Sequence, residues 1–378
     1  MTNATLARIE FGRLEGRRPR HAGKNARLGD HGDLINVPIA RVTMSDGATG
    51  FGMVRAPRDQ IAGLIGASLA DDFTTESAMA TEWRGLEFPL WDLQAKRTGV
   101  PVYRHLAPET AAKPGPQLVP CYDTSLYIDD LHLTSHEEAA ALLAAEAMEG
   151  WQRGHRAFKI KVGRGARHMP LVEGTTRDIL VIRAVREAVG PGARLMIDAN
   201  NGYNLNIAKR VLHETADCAI YWLEEAFHED PVLYQDLKEW LAREGLPILI
   251  ADGEGDASPA LLDWARDGLI DVVQYDIFSH GISRWLSTGR QLAAWNVSAA
   301  PHHYGTLYGN YAACHLAPAL ANFQFAEWDE GTATGLIADG YRIEDGAVIL
   351  PESPGFGLEL DEELFDRSVT DNGFTLTS

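Results

Sequence analysis

The chain has 378 residues, 45% hydrophobic and 23% charged, which allows a large buried core and implies two domains, or one barrel with a smaller partner domain. Its formal net charge of −19 excludes broad binding to nucleic acid or anionic membrane, because both repel a polyanion, but a local cationic pocket can still hold a small anion. Cys121, Cys218 and Cys314 stand far apart without a CxxC pair and read as reduced thiols. With no signal-peptide pattern and no apolar run of roughly 18 residues, the expected location is the cytoplasm.

Residues 3–15 alternate apolar and polar and predict a first strand. The following stretch, RRPRHAGKNARLGDHG (17–32), has five Arg or Lys in its first eleven residues, mixed with Gly, Pro and Asn, and predicts a loop. It reads either as a solvated basic loop or as a flap offering Lys24, Arg27 and His31 to an anionic substrate. A second strand is expected over 35–44, a turn at Ser45-Asp46-Gly47, and a third strand through Gly52. Helical patterns cover 58–70 and 77–98, the second closing on Lys96-Arg97-Thr98-Gly99. A Pro-bearing connector spans 107–117. Residues 1–117 therefore read as an α+β unit.

From 118 the rhythm becomes strand and helix in alternation. Strands are predicted at 118–124, 156–162, 194–199, 220–225, 247–252, 271–276, 297–302 and 323–328. Helix-period segments lie between them, including 136–150, 177–190, 206–216 and 258–269. Eight such units fit a (β/α)8-type TIM barrel over 118–330, with a (β/α)7β variant open because the last helix is weakly signalled. An open doubly wound sheet would need a Gly-rich phosphate turn after its first strand, and none is present. The turn-rich segment 331–378 reads as short strands and loops returning to the N-terminal unit.

Ionisable residues recur at the predicted strand ends. Asp198, Glu224 and Glu254 are spaced by 26 (224 − 198) and 30 (254 − 224) residues, each about one βα unit. Neighbouring strands lie about 4.8 Å apart, so three carboxylates at one level can converge on one ion. An all-oxygen set suits a hard cation, Mg²⁺ ahead of Mn²⁺. Asp252 competes with Glu254, which is preferred because Gly253 lets the next residue reach the strand end. Lys159 and Lys161 alternate with apolar residues and should point to one side of their strand. Their mutual repulsion and a nearby cation should lower both pKa values, the route by which a lysine becomes a base. Asp276 ends the sixth strand and His302 the seventh, a carboxylate–imidazole pair. His303 competes with His302 for the inward position, and Glu327 ends the eighth strand as a further hydrogen-bonding group. Together these groups point to proton abstraction beside a metal-bound carboxylate.

At these residues the chain resembles the enolase superfamily, mandelate racemase subgroup. The shared features are the Lys159/Lys161 pair, the ligand set Asp198, Glu224 and Glu254, the Asp276–His302 dyad, and Glu327. The resemblance covers nearly the whole chain and implies a TIM-type barrel, a capping domain built from 1–117 and the C-terminal segment, Mg²⁺, and frequent homo-oligomers. It further implies a small carboxylate substrate chosen by the N-terminal loops, in line with Lys24, Arg27 and His31 of the basic loop as its contacts; His303, beside His302, is a further substrate-binding candidate. The expected reaction is dehydration of an acid sugar, an aldonate or aldarate. The alternative on the same scaffold is a racemase, epimerase or cycloisomerase. A metal-dependent hydrolase is disfavoured, since the first barrel strand, VPCYDTSLY, lacks the histidines such sites use. Three features depart from the family pattern: the insertion 163–178 after the KxK strand, LEEAF in place of a proline after the paired glutamates, and a lengthened IADGE at the fifth strand.

Overall fold

The computed structural model describes residues 4–69, 79–109 and 115–378. Parts of four expectations, at residues 3, 70, 77–78 and 110–114, lie outside the described residues. The fold is α/β, with a large parallel sheet and a smaller antiparallel one.

The antiparallel sheet begins with three strands, β1 (Leu6–Ala22), β2 (Gly32–Met44) and β3 (Thr49–Met53). β1 pairs with β2, and β2 with β3 across the expected turn, where Gly47 takes φ +86°. The basic stretch after Glu15 is not all loop. β1 continues to Ala22 because its arginines find partners: Arg17 on Asp33, Arg18 on the Leu34 carbonyl, Arg20 on Glu146 and Glu149. Only about residues 23–31 form the connection to β2. The expected helix at 58–70 is short, Arg58–Ala62, whereas Glu87–Thr98 ends as expected on left-handed Gly99.

The parallel strands are β4 (Leu118–Leu126), β5 (Ala157–Lys161), β6 (Arg194–Asp198), β7 (Ile220–Glu224), β8 (Leu249–Asp252), β9 (Val272–Val273), β10 (Ser298–Ala299) and β11 (Ala326–Trp328). They pair in chain order from β4 to β10. β11 pairs with β4, and Ala299 of β10 bridges Phe323 just before β11. Helices fill the connections with ordinary capping chemistry. Ser135 accepts from the Glu138 amide at the start of His136–Gln152, and Asp230 caps Pro231–Glu244, whose proline sits in the first turn. The insertion after β5 is shorter as a loop than expected, since a helix starts at Leu171.

Aromatic and aliphatic side chains fill the sheet interior below the strand ends. Trp222 packs edge-on against Tyr122 at 5.5 Å and Phe325 at 6.0 Å, with Met196, Ala251 and Val272 around them. This packed plug leaves the carboxyl ends of the strands as the open side. After β11 the chain rejoins the first sheet. Thr332–Ala333 (β12) and Phe374–Thr377 both pair with β1, and a helix that the sequence reading did not place, Glu362–Asn372, leads into the second of them.

Candidate active site

Register places the key charges side by side. Lys161 aligns with Asp198, and Asp198 with Glu224, across three adjacent strands. After β8, Gly253 takes φ +119°, a conformation only glycine adopts without strain, and Glu254 follows at the strand end. One oxygen from each of Asp198, Glu224 and Glu254 lies within 4.8 Å of the other two. Asp252 is engaged elsewhere: it accepts from the Tyr234 hydroxyl at 2.5 Å and the Gly253 amide at 2.7 Å. Three converging carboxylates without sulfur or a converging imidazole trio fit Mg²⁺ chemistry.

Crowding acts on these carboxylates unequally. Burial and the neighbouring Asp198 push Glu224 up to about 8. Burial also opposes ionisation of Asp198, but Lys161 and Lys159 outweigh it and hold that carboxyl below its usual range.

The two lysines occupy different depths. Lys159 is 0% exposed and contacts Glu224 at 2.6 Å, Glu327 at 3.1 Å and Asp198 at 3.3 Å. Lys161 lies nearer the opening, 2.5 Å from Asp198 and 3.0 Å from the Asn200 amide oxygen. The expected fall in their pKa is not found. Burial does oppose both charges, but the carboxylates facing Lys159 and the Asp198 partner of Lys161 raise both above the ordinary lysine value. The lysine pair repels less than the surrounding acids attract.

His302 approaches the same cluster from β10. Its Nε2 lies 3.1 Å from Glu254 and 3.9 Å from Glu327, and its Nδ1 lies 3.4 Å from Asp276. Burial disfavours the imidazolium, yet Glu254, Glu327 and Asp276 raise it to about 9. Asp276 is itself fixed as a helix cap, accepting from the Phe278 and Ser279 amides. His303 does not serve as an exposed substrate contact. Its ring is fully buried with Nε2 2.8 Å from the Glu327 carbonyl, so strand alternation sends the two histidines to different surroundings. Glu327 is also fully buried. It accepts from Thr124 and from the His303 and Tyr304 amides, which makes it a brace behind the site.

The 23–31 connection covers part of the opening. Lys24 and His31 line a small cavity together with Lys161, Asn200, Tyr127 and Tyr304. Burial, Arg18 and Lys161 lower the His31 pKa. Arg27 lies apart from them, with Nε on the Asn201 carbonyl at 3.2 Å and its side chain beside a second hollow that Glu225 and Glu254 share.

Several participants escaped the sequence reading. Asn200 accepts from Lys161 and donates to Glu225 and Glu254, tying base and carboxylate cluster together. Its signal was the polar run Ala199-Asn200-Asn201-Gly202 after an apolar strand, and both asparagines adopt positive φ, at +40° and +60°. Gln274 donates to Glu224 at 2.8 Å. Tyr304 forms a cavity wall beside Lys161, whose ammonium lies 5.3 Å from the ring centroid.

Known proteins share this arrangement of fold and sequence. Residues 142–364 match the family described as Enolase C-terminal domain-like. The solved structure of a galacturonate dehydratase from Geobacillus sp., complexed with D-galacturonate and 5-keto-4-deoxy-D-galacturonate, is 47% identical, covers 100% of both chains and has a TM-score of 0.94. A mutant of a Geobacillus sp. galacturonate dehydratase complexed with Mg is 46% identical over 100% of this chain and 98% of that one, with a TM-score of 0.96. Among curated relatives, D-galactarolactone cycloisomerase of Agrobacterium fabrum is 27% identical over 75% of this chain and 72% of its own. The chain belongs to the Enolase C-terminal domain-like family and, within the enolase superfamily, to its mandelate racemase group.

Proposed function

We propose that this protein is a Mg²⁺-dependent acid-sugar dehydratase, a hydro-lyase whose substrate class is the hexuronates and related sugar acids. The observation that carries the proposal is the approach of Lys161 and His302 to one carboxylate cluster, Lys161 at Asp198 and His302 at Glu254. The two ligands named for the Geobacillus complex differ by one water. The oxygen beside the carboxylate remains as a ketone, and the next carbon loses its hydroxyl. That is β-elimination following removal of the α-proton.

Asp198, Glu224 and Glu254 are the residues to hold the metal, which when bound acidifies the C–H beside the substrate carboxylate and stabilises the charge that develops there. Lys161 takes the α-proton as a free amine, which requires its ion pair with Asp198 to be broken and its own proton to be released to solvent first. His302, kept protonated by its three acidic neighbours, delivers a proton to the departing β-hydroxyl. Asp276 orients the imidazole, while Lys159 and Glu327 balance charge beneath the site. Lys24 and His31 meet the distal end of the sugar, and Arg27 guards the loop's outer side.

The architecture proposed for this chemistry is a (β/α)7β form of the TIM-type barrel over 118–330, capped by 1–117 together with 331–378. The β11–β4 pairing and the Ala299–Phe323 bridge support closure. The pairing of β12 and Phe374–Thr377 with β1 supports the shared cap. Among the described residues no helix intervenes between β11 and β12, which favours the seven-helix form. No described helix is long and apolar enough to cross a membrane. The homo-oligomer expected from the resemblance is testable by sedimentation equilibrium.

Turnover of a panel of hexuronates, aldonates and aldarates with Mg²⁺, followed by proton NMR in D₂O, tests the proposal. Keto-deoxy product supports it, and no turnover of any member sinks it. Deuterium incorporation at the α-carbon without loss of water would instead favour the racemase or cycloisomerase reading, which the 27% identity to the A. fabrum enzyme keeps in play.

A further inference from the structure

We propose that Asn25 is a positioning residue whose buried carboxamide locks the 23–31 loop onto the strand ends carrying Lys161 and Asp198. The side chain is 2% exposed and fully engaged. Its Nδ2 donates to the Ala199 carbonyl at 2.6 Å and lies 3.4 Å from the Val162 carbonyl, while its Oδ1 accepts from the Arg27 and Leu28 amides at 2.8 and 2.7 Å. Val162 and Ala199 are the residues immediately after Lys161 and Asp198. One amide thus ties the loop backbone to the two positions that set the base and a metal ligand.

The surroundings are built to receive it. A Cβ on Gly163 or on Gly202 would lie 3.2 Å from the Asn25 Nδ2, and the two glycines adjoin each other there, so this wall of the amide slot is left without side chains. The Ala26 amide adds a bond to the Gly163 carbonyl at 3.0 Å. At the loop's entry, a Cβ on Gly23 would fall 1.6 Å from the Ile128 carbonyl oxygen, so the chain runs flush against the segment after β4.

The clamp has a functional consequence. The cavity beneath the loop offers about 20 Å³ to the centre of a water molecule, on the order of one water. A sugar acid fills this cavity only if the loop lifts, so the Asn25 bonds break and re-form around each substrate that reaches it. When they re-form, Lys24 and His31 return to fixed places facing Lys161. Asn25 therefore controls substrate binding by positioning other groups and touches no reacting atom.

What enters the cavity rests on the dehydratase reading, but the clamp itself does not. The test is hydrogen exchange of the full-length protein without substrate, paired with steady-state kinetics, for Asn25→Ala and Asn25→Asp. Loss of these buried bonds should speed exchange of the 23–31 amides and raise KM about tenfold, with kcat changed less than about threefold. Asn25→Asp should exceed Asn25→Ala, because it sets a negative charge against two carbonyl oxygens. Unchanged loop exchange in both variants, or a fall in kcat at constant KM, overturns the proposal. If either variant fails to fold, Gly202→Ala, whose Cβ would meet the Ala199 carbonyl oxygen at 2.8 Å and the Asn25 Nδ2 at 3.2 Å, crowds the same hydrogen bond and must give the same exchange and KM pattern. If the wild-type enzyme turns over no sugar acid, the dehydratase reading fails while exchange still decides the clamp.

Discussion

Lys159→Met separates a structural cation from a catalytic one. Methionine keeps the length of the side chain and removes its charge. The variant leaves Asp198, Glu224 and Glu327 facing one another without the ammonium that sits 2.6 to 3.3 Å from each. Removing one partner from a buried ionic group costs about 3–5 kcal/mol. In a chain this large, each kcal/mol moves Tm by about 2 °C, so the loss in EDTA should be roughly 6–10 °C. Mg²⁺ held by Asp198 and Glu224 would neutralise two of the three carboxylates that the lysine no longer reaches. It stabilises any protein that binds it by about 2.7 kcal/mol at a hundred times Kd, and the increment should be larger in the variant than in wild type. Scanning calorimetry at fixed scan rate, with EDTA and with saturating Mg²⁺, measures both. Equal Tm values in EDTA, or an equal rise with Mg²⁺, would refute the placement of Lys159 as the charge that balances the cluster.

Lys161→Ala and His302→Asn should each reduce kcat at least a thousandfold while metal affinity, read by isothermal titration, stays within about tenfold. For the third ligand, Glu254→Gln should weaken Mg²⁺ binding about a hundredfold, and Asp252→Asn should leave it nearly unchanged; the reverse order would exchange their roles. His155 offers a pH test away from the site. Burial opposes its charge, but Asp123, Cys121 and Glu330, whose carboxylate lies 2.7 Å away, raise it to about 10. Its folded pKa exceeds the unfolded value, so its contribution is complete below about pH 6.5 and disappears as pH rises through about 10. Between pH 7 and 10 the Tm of wild type should therefore fall more steeply than that of His155→Gln.

Strand positions were legible because apolar runs end in one or two ionisable groups, and the structure brings Lys161, Asp198, Glu224, Glu254 and His302 of that pattern together. The extent of β1 was not. Its buried positions beyond Gly16 include Arg18, an arginine in a slot where alternation calls for an apolar residue, and Pro19 falls in the stretch where the β1–β2 register shifts. The segment after β5 misled for a related reason. Arg164 and Arg177 look solvent-facing, yet both are buried on Asp130, and Arg164 also pairs with Asp178. Their partner lies more than thirty residues away in sequence, beyond the reach of local pattern. The lysine pKa values depended on how many carboxylates converge in space, a count that neighbouring lysines alone do not reveal. His303 was separable from His302 only once the backbone had chosen which one faces the cluster.

The pairing of Arg8 with Thr377 joins residues 369 positions apart (377 − 8). During synthesis at 5–20 residues per second, β1 therefore waits roughly 20–70 s with one edge unpaired. An unpaired edge is an invitation to strand exchange with another nascent chain. The arginines along β1 give that edge charge while it waits. Final assembly of the first sheet is therefore a late event in folding, so truncations near Phe374 should trap a chain whose parallel sheet is complete but whose opening strand remains available to neighbours.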